Sequence, residues 1–183
     1  MVQLSRAASP PALSTYRQVV VDASPLISIL VLKYAFTLEP EAAKAVISRS
    51  RVASYLGADF AQVAMVRLFD HVRGITTTSH VIGELQGLQE LTGDSQTAFW
   101  QAAMNWLALK GLDENLITLL ELNSNLRSRI WVCEIGPTDS SLIQLAIRER
   151  APLLTDDRRT LSGRARQNGV DCRLVEDELR QYE

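Results

Sequence analysis

An apolar run that ends on an acid and passes at once into a helical pattern occurs twice, as QVVVDAS at residues 18–24 and as PLLTDD at 152–157. Such near-continuous apolar runs are the mark of buried strands in a parallel sheet, whose two faces are both covered by helices. Further β-type runs, ITTT at 75–78, RIWVCEI at 129–135 and DCRLVED at 171–177, alternate with helical stretches. That alternation predicts a three-layer α/β/α fold around a mostly parallel sheet.

The helical stretches follow from apolar spacing and terminal signals. Residues 25–36 continue apolar after the first strand, and PEAAKAVISRSRVASYL and DFAQVAMVRLFDHVR end at Gly57 and Gly74. Together these last two predict an inserted helical hairpin over 39–73. Ser79 is the expected cap of a helix that carries Glu84 in its second turn. Phe99, Trp100, Ala103, Met104 and Leu107 lie at helical spacing within 96–111, as do Leu116, Leu119, Leu120 and Leu126 within 113–127, and both helices are expected to turn these residues to the core. GPTDSSLIQLAIRER reads as turn and helix with Asp139 in the first turn, and DRRTLSGRARQNG as a helix closing near Gly169.

At 183 residues the chain accommodates one buried core, expected over 18–183 behind a flexible tail at 1–17. The longest apolar stretch, PLISILVL, lies between Asp22 and Lys33 and is too short to span a bilayer. Cys133 and Cys172 each follow β-type residues, which predicts buried thiols in a reducing compartment, hence a cytoplasmic protein. His71 and His80 share no ligand spacing with each other or with either cysteine, so any catalytic work falls on carboxylates. Net charge is −2, yet sixteen of the nineteen basic residues are arginine. Several crowd the last third, where they suit bidentate phosphate contacts or simply a solvated helix face.

Ligands of open parallel sheets bind in the crevice beyond the carboxyl ends of the strands. Asp22 ends one expected strand, Asp139 follows another, the pair Asp156 and Asp157 ends a third, and Glu84 lies early in a helix after a fourth. Alone, each has a structural explanation in a cap or a turn. Converging, they would raise one another's pKa, and a hard divalent cation with oxygen ligands is the ready means of keeping them ionised.

In order along the chain, VVVDAS, TTSHVIGEL, PTDSSLIQLA and LLTDDRRTL resemble the motifs of the PIN-domain nucleases, over about residues 18–176. The resemblance implies a PIN-like fold and an acidic quartet, Asp22, Glu84, Asp139 and Asp157, that holds Mg²⁺ or Mn²⁺. The fourth motif of that family is threonine, any residue, aspartate, which selects Asp157 and leaves Asp156 to cap the next helix or to bind through water. Alternation of side chains along an extended segment likewise lets one of the pair face the site. Ser24 and Thr155 match hydroxyl positions that orient the ligands, and Arg158 and Arg159 stand where a neighbouring phosphate would pass. The implied activity is metal-dependent hydrolysis of single-stranded RNA, with a homodimer and an antitoxin-like protein as implied partners.

The insertion at 39–73 and the tail depart from compact toxin-like members of that family. One rival reading is a binding module that keeps the fold and acids but cleaves nothing. A phosphoaspartate phosphatase would want an acid at position 24, where this chain has serine, and a receiver domain would want a late lysine, whereas none follows Lys110.

Overall fold

The structure, a computed structural model, describes residues 11–51, 53, 56, 59–124 and 126–182, with the backbone alone at 126–129. Five parallel strands form one sheet in the order β3-β2-β1-β4-β5. They are β1 (Val19–Val21), β2 (Ile75–Thr78), β3 (Asp113–Asn115), β4 (Leu153–Thr155) and β5 (Cys172–Leu174). Register pairs Val20 with Thr76 on one side and with Leu153 on the other, so β1 lies at the centre. Valine triplets suit that place because both faces of the strand are buried.

Helices cover both faces, giving the expected three layers. On one side α1 (Ala23–Ala35) is buried around nearly its whole circumference: Leu26, Ile27, Ile29, Leu30 and Leu32 have no accessible surface. A helix apolar on all sides needs cover on all sides, and α2 (Pro40–Arg49), α3 (Asp59–His71), α4 (Ser79–Leu88) and α5 (Gly93–Lys110) all pack against it. The insertion is therefore a pair of helices laid on α1. The first of the pair stops at Arg49, where Ser50 turns extended with ψ 119°, rather than running on to Gly57 as expected; residue 57 itself lies outside the described residues. On the other side are α7 (Leu126–Glu149) and α8 (Leu161–Gln167), while α6 (Leu119–Ser124) leans on α7 and α9 (Val175–Leu179) follows β5. Among the described residues no helix is long and apolar enough to cross a membrane.

Several local expectations differ from the structure. RIWVCEI is helical, forming the first half of α7. A short run with branched and aromatic residues fits strand and helix alike, and here the five strands of the sheet come from elsewhere. The helix breaks at Gly136, where φ is 83° and ψ 170°. Glycine tolerates that conformation, and Pro137 both excludes a helical conformation before it and suits the first position of the segment that follows. Residues 113–115, expected to be helical, form the edge strand β3 through backbone pairing with β2, and their polar side chains protect that edge. Consequently Leu116, Leu119 and Leu120 are exposed rather than core-facing, as is Met104, whereas Phe99, Ala103 and Leu107 are buried and Trp100 partly so. The side chain of Leu126 lies outside the described residues. Ser79 begins α4 instead of capping it, the preceding Thr78 taking the cap position. Only the leading part of DCRLVED is a strand, since VED opens α9. Cys172 is buried as expected, but Cys133 is exposed on α7.

Residues 1–10 of the expected flexible tail lie outside the described residues. The remainder is fastened to the domain. Leu13 is buried, the Tyr16 hydroxyl donates to Asp171 at 2.9 Å, and the Pro11 carbonyl accepts from Arg173 at 3.0 Å.

Candidate carboxylate site at the strand ends

In a sheet of this order the chain reverses its winding between β1 and β4, and the crevice at such a switch lies beyond the carboxyl ends of the strands. Asp22 follows β1 there and Thr155, Asp156 and Asp157 close or follow β4. Glu84, on α4, is carried to the same end by β2. Asp139 reaches it by another route than expected: the break at Gly136 starts a new helical segment, and Asp139 lies in its first turn.

Each carboxylate is held by hydroxyls or backbone. Asp22 accepts from its neighbour Ala23 N–H at 2.6 Å and from Thr155 Oγ1 at 2.6 Å. Burial, together with the charges of Asp156 and Glu84, outweighs these two bonds and raises Asp22 to about 6. Asp139 is raised from 3.8 to about 7, first by burial and then by the charges of Asp22, Asp157 and Glu84. The four acidic segments thus share one electrostatic neighbourhood. Glu84 is exposed and accepts from Thr138 Oγ1 at 2.6 Å, a partner that sequence reasoning overlooked although it stands beside Asp139 in the quoted motif. A second overlooked contact joins Thr78 and Ser141, whose buried hydroxyls meet at 2.9 Å and tie the start of α4 to the helix carrying Asp139.

The two adjacent aspartates have different surroundings. Asp157 gathers backbone N–H groups: its Oδ1 accepts from Arg159 and Thr160, each at 2.8 Å, and its Oδ2 from Leu161 at 3.2 Å. Although burial opposes it, these donors hold its carboxyl below the usual range. The capping role assigned to Asp156 on sequence therefore belongs to Asp157. Asp156 instead accepts from Ser24 Oγ at 2.7 Å and faces Asp22 across the switch. Thr155 joins both halves, donating to Asp22 while accepting from the Asp157 N–H at 3.0 Å. Arg158 pairs with Glu176, and Arg159 is exposed.

The two aspartates are separable by experiment. Asp157→Ala, which leaves three N–H groups without their acceptor, is expected to lower stability by about 1–2 kcal/mol, whereas Asp156→Ala, at a partly exposed position without such a role, should stay within about 0.5 kcal/mol of wild type. Urea melts of both variants decide it, and equal losses would contradict the assignment.

The donor set consists of carboxylate oxygens supported by hydroxyls, the chemistry preferred by Mg²⁺ and Mn²⁺. Mutual repulsion, which adds to burial in raising the pKa of Asp22 and Asp139, is what such a cation relieves. As the side chains lie, no three His, Cys, Asp or Glu among the described residues are gathered tightly enough to hold one ion. Of the five acids Glu84 is the exposed one, and Asp156 is part-exposed. Compared with known proteins, the chain matches no family model, no curated protein and no solved structure.

Proposed function

We propose that the chain is a divalent-metal-dependent endoribonuclease acting on single-stranded RNA. The observation that carries this reading is the approach of Asp22, Glu84, Asp139 and the Asp156–Asp157 pair at the switch of a parallel sheet, where burial first and the neighbouring acids second push Asp139 to about 7. The order of its motifs along the chain, which resembles the PIN-domain nucleases, points the same way.

Asp22, Glu84, Asp139 and one of the paired aspartates would hold Mg²⁺ or Mn²⁺, which supplies Lewis acidity toward a phosphodiester and toward water. The chain contributes position and charge. Thr155 and Ala23 fix both oxygens of Asp22, Ser24 orients Asp156, and Thr138 orients Glu84. Asp139, with a pKa near neutrality, can hold or release a proton at its carboxyl at working pH. An unpaired strand suits this crevice because it can bend a phosphate toward recessed carboxylates, whereas a duplex presents its phosphates on a rigid surface.

Calorimetric titration with Mn²⁺ followed by cleavage of a labelled single-stranded RNA tests the reading. Saturable binding and Mn²⁺-dependent cutting that leaves a 5′ phosphate are expected. A folded protein that neither binds Mn²⁺ nor cuts in its presence would overturn it in favour of a binding module.

A further inference from the structure

A cleft of about 720 Å³ opens beside the carboxylates and shares Ser24 and Asp156 with them. Its volume lies in the ~300–1,000 Å³ range of ligand-binding clefts. The far wall is built by α3 and α9: Phe60, a residue 46% exposed, and Leu179. Arg158 and Arg180 line the same space with Glu176. An exposed aromatic ring, an aliphatic wall and two guanidinium groups next to a candidate phosphodiester site make an uncommon combination. A surface phenylalanine gains little by facing water, but a ring offers a stacking platform to any base.

We propose that this cleft is the subsite for a nucleotide flanking the scissile phosphate, its base stacked on Phe60 and its phosphate held by Arg158 and Arg180. The inference rests on the nuclease reading and deepens it, and it assigns the inserted helix α3 to substrate selection. The two arginines are engaged by acids. Arg158 pairs with Glu176 and approaches Asp177 at 4.0 Å, while Arg180 meets Glu176 at 2.6 Å and Asp177 at 3.7 Å. All four side chains are about half exposed. Such exposed pairs contribute little net free energy, so a phosphate with its greater charge can exchange for Glu176. Asp156, at the mouth, opposes an incoming phosphate until its charge is balanced by a cation at the carboxylates. The subsite therefore fills better with the metal than without it.

The probe is adenosine 5′-monophosphate, which has no phosphodiester bond to cut, titrated in the presence and absence of Mn²⁺ and followed by calorimetry, with the same nucleotide and Mn²⁺ titrated without protein as the reference. Binding by wild type is expected, tighter with Mn²⁺. Phe60→Ala should weaken it by about tenfold, as loss of one stacking contact does, and Glu176→Gln, which removes the nearer acid from both arginines and leaves them Asp177 at 3.7–4.0 Å, should tighten it. Mn²⁺ binding should be unchanged in both variants. Far-UV circular dichroism shows whether each has folded, and because the two shifts are opposite in sign, a general loss of structure does not imitate the pair. Nucleotide binding indifferent to Phe60, or none beside intact Mn²⁺ binding, overturns the subsite and spares the nuclease reading. Phe60-dependent nucleotide binding by a protein that takes no Mn²⁺ has the reverse meaning.

Discussion

Asp139→Asn is expected to lower Mn²⁺ affinity by more than about a hundredfold, beyond the ~10–100-fold that follows from changing an outer partner of a ligand, and to reduce RNA cleavage in parallel. The substitution keeps the size and shape of the side chain but removes the charge that burial and three neighbouring acids oppose. The same opposition predicts a stability effect of the other sign. With a folded pKa of about 7 against an ordinary 3.8, the metal-free native protein binds more protons than the unfolded chain between those values. Its stability therefore falls as pH rises through that window and stays reduced above about 7. Asparagine does not titrate, so metal-free Asp139→Asn should be more stable than wild type at pH 8 and gain progressively less toward pH 4. Partial exposure of the group holds the difference to about 1–2 kcal/mol. Because protons compete with the cation for the same oxygens, wild-type Mn²⁺ affinity should also decline as pH falls below about 7. Urea melts and calorimetry at pH 5 and pH 8 read all three effects. Wild-type metal affinity in the variant would remove Asp139 from the site.

Arg173→Ala is expected to destabilise the protein by about 3 kcal/mol, the lower end of the range for breaking a buried ion pair. Its side chain is 8% exposed and that of Glu178 5%. The guanidinium donates to Glu178 at 3.0 Å, to Asp171 Oδ2 at 2.9 Å and to the Pro11 carbonyl. Without it the Glu178 carboxylate stays buried with a neutral donor, Gln181 at 3.0 Å, in place of a cation, and the strap from Pro11 to Tyr16 loses one of the two hydrogen bonds that fasten it. Asp171 is held below its ordinary range, since its bonds to Arg173 and Tyr16 outweigh burial. A depressed carboxylate stabilises above its unfolded pKa and ceases to do so as pH falls through the folded value, so the wild-type advantage over the variant should shrink in acid. The double variant Arg173→Met with Glu178→Leu should recover part of the loss, because apolar side chains of similar volume remove the unpaired charge. If Arg173→Ala unfolds in urea at the wild-type midpoint, the network contributes nothing.

Much of this protein is legible in its sequence because the signals are local. Val19–Val21, Ile75–Thr78 and Leu153–Thr155 are short apolar or β-branched runs bounded by acids and cap residues, and they are strands. Gly136 and Pro137 announce the start of the segment that carries Asp139. The layers follow from alternation. Other features depend on contacts between distant segments. RIWVCEI matches two periodicities, and only the sheet, complete without it, leaves it helical. DEN at 113–115 has no strand propensity and is made a strand by the free edge of β2. Leu119 and Leu120 have helical spacing, yet no partner covers them. The acids at strand ends were apparent from composition and position, whereas the strand order that brings them together arises from backbone pairing between residues as far apart as Val20 and Leu153. The same holds for Asp156 and Asp157. Their adjacency in sequence says that one carboxylate turns each way, but which of them meets the N–H groups of residues 159–161 is decided by how the chain leaves β4, because a hydrogen bond requires direction as well as proximity.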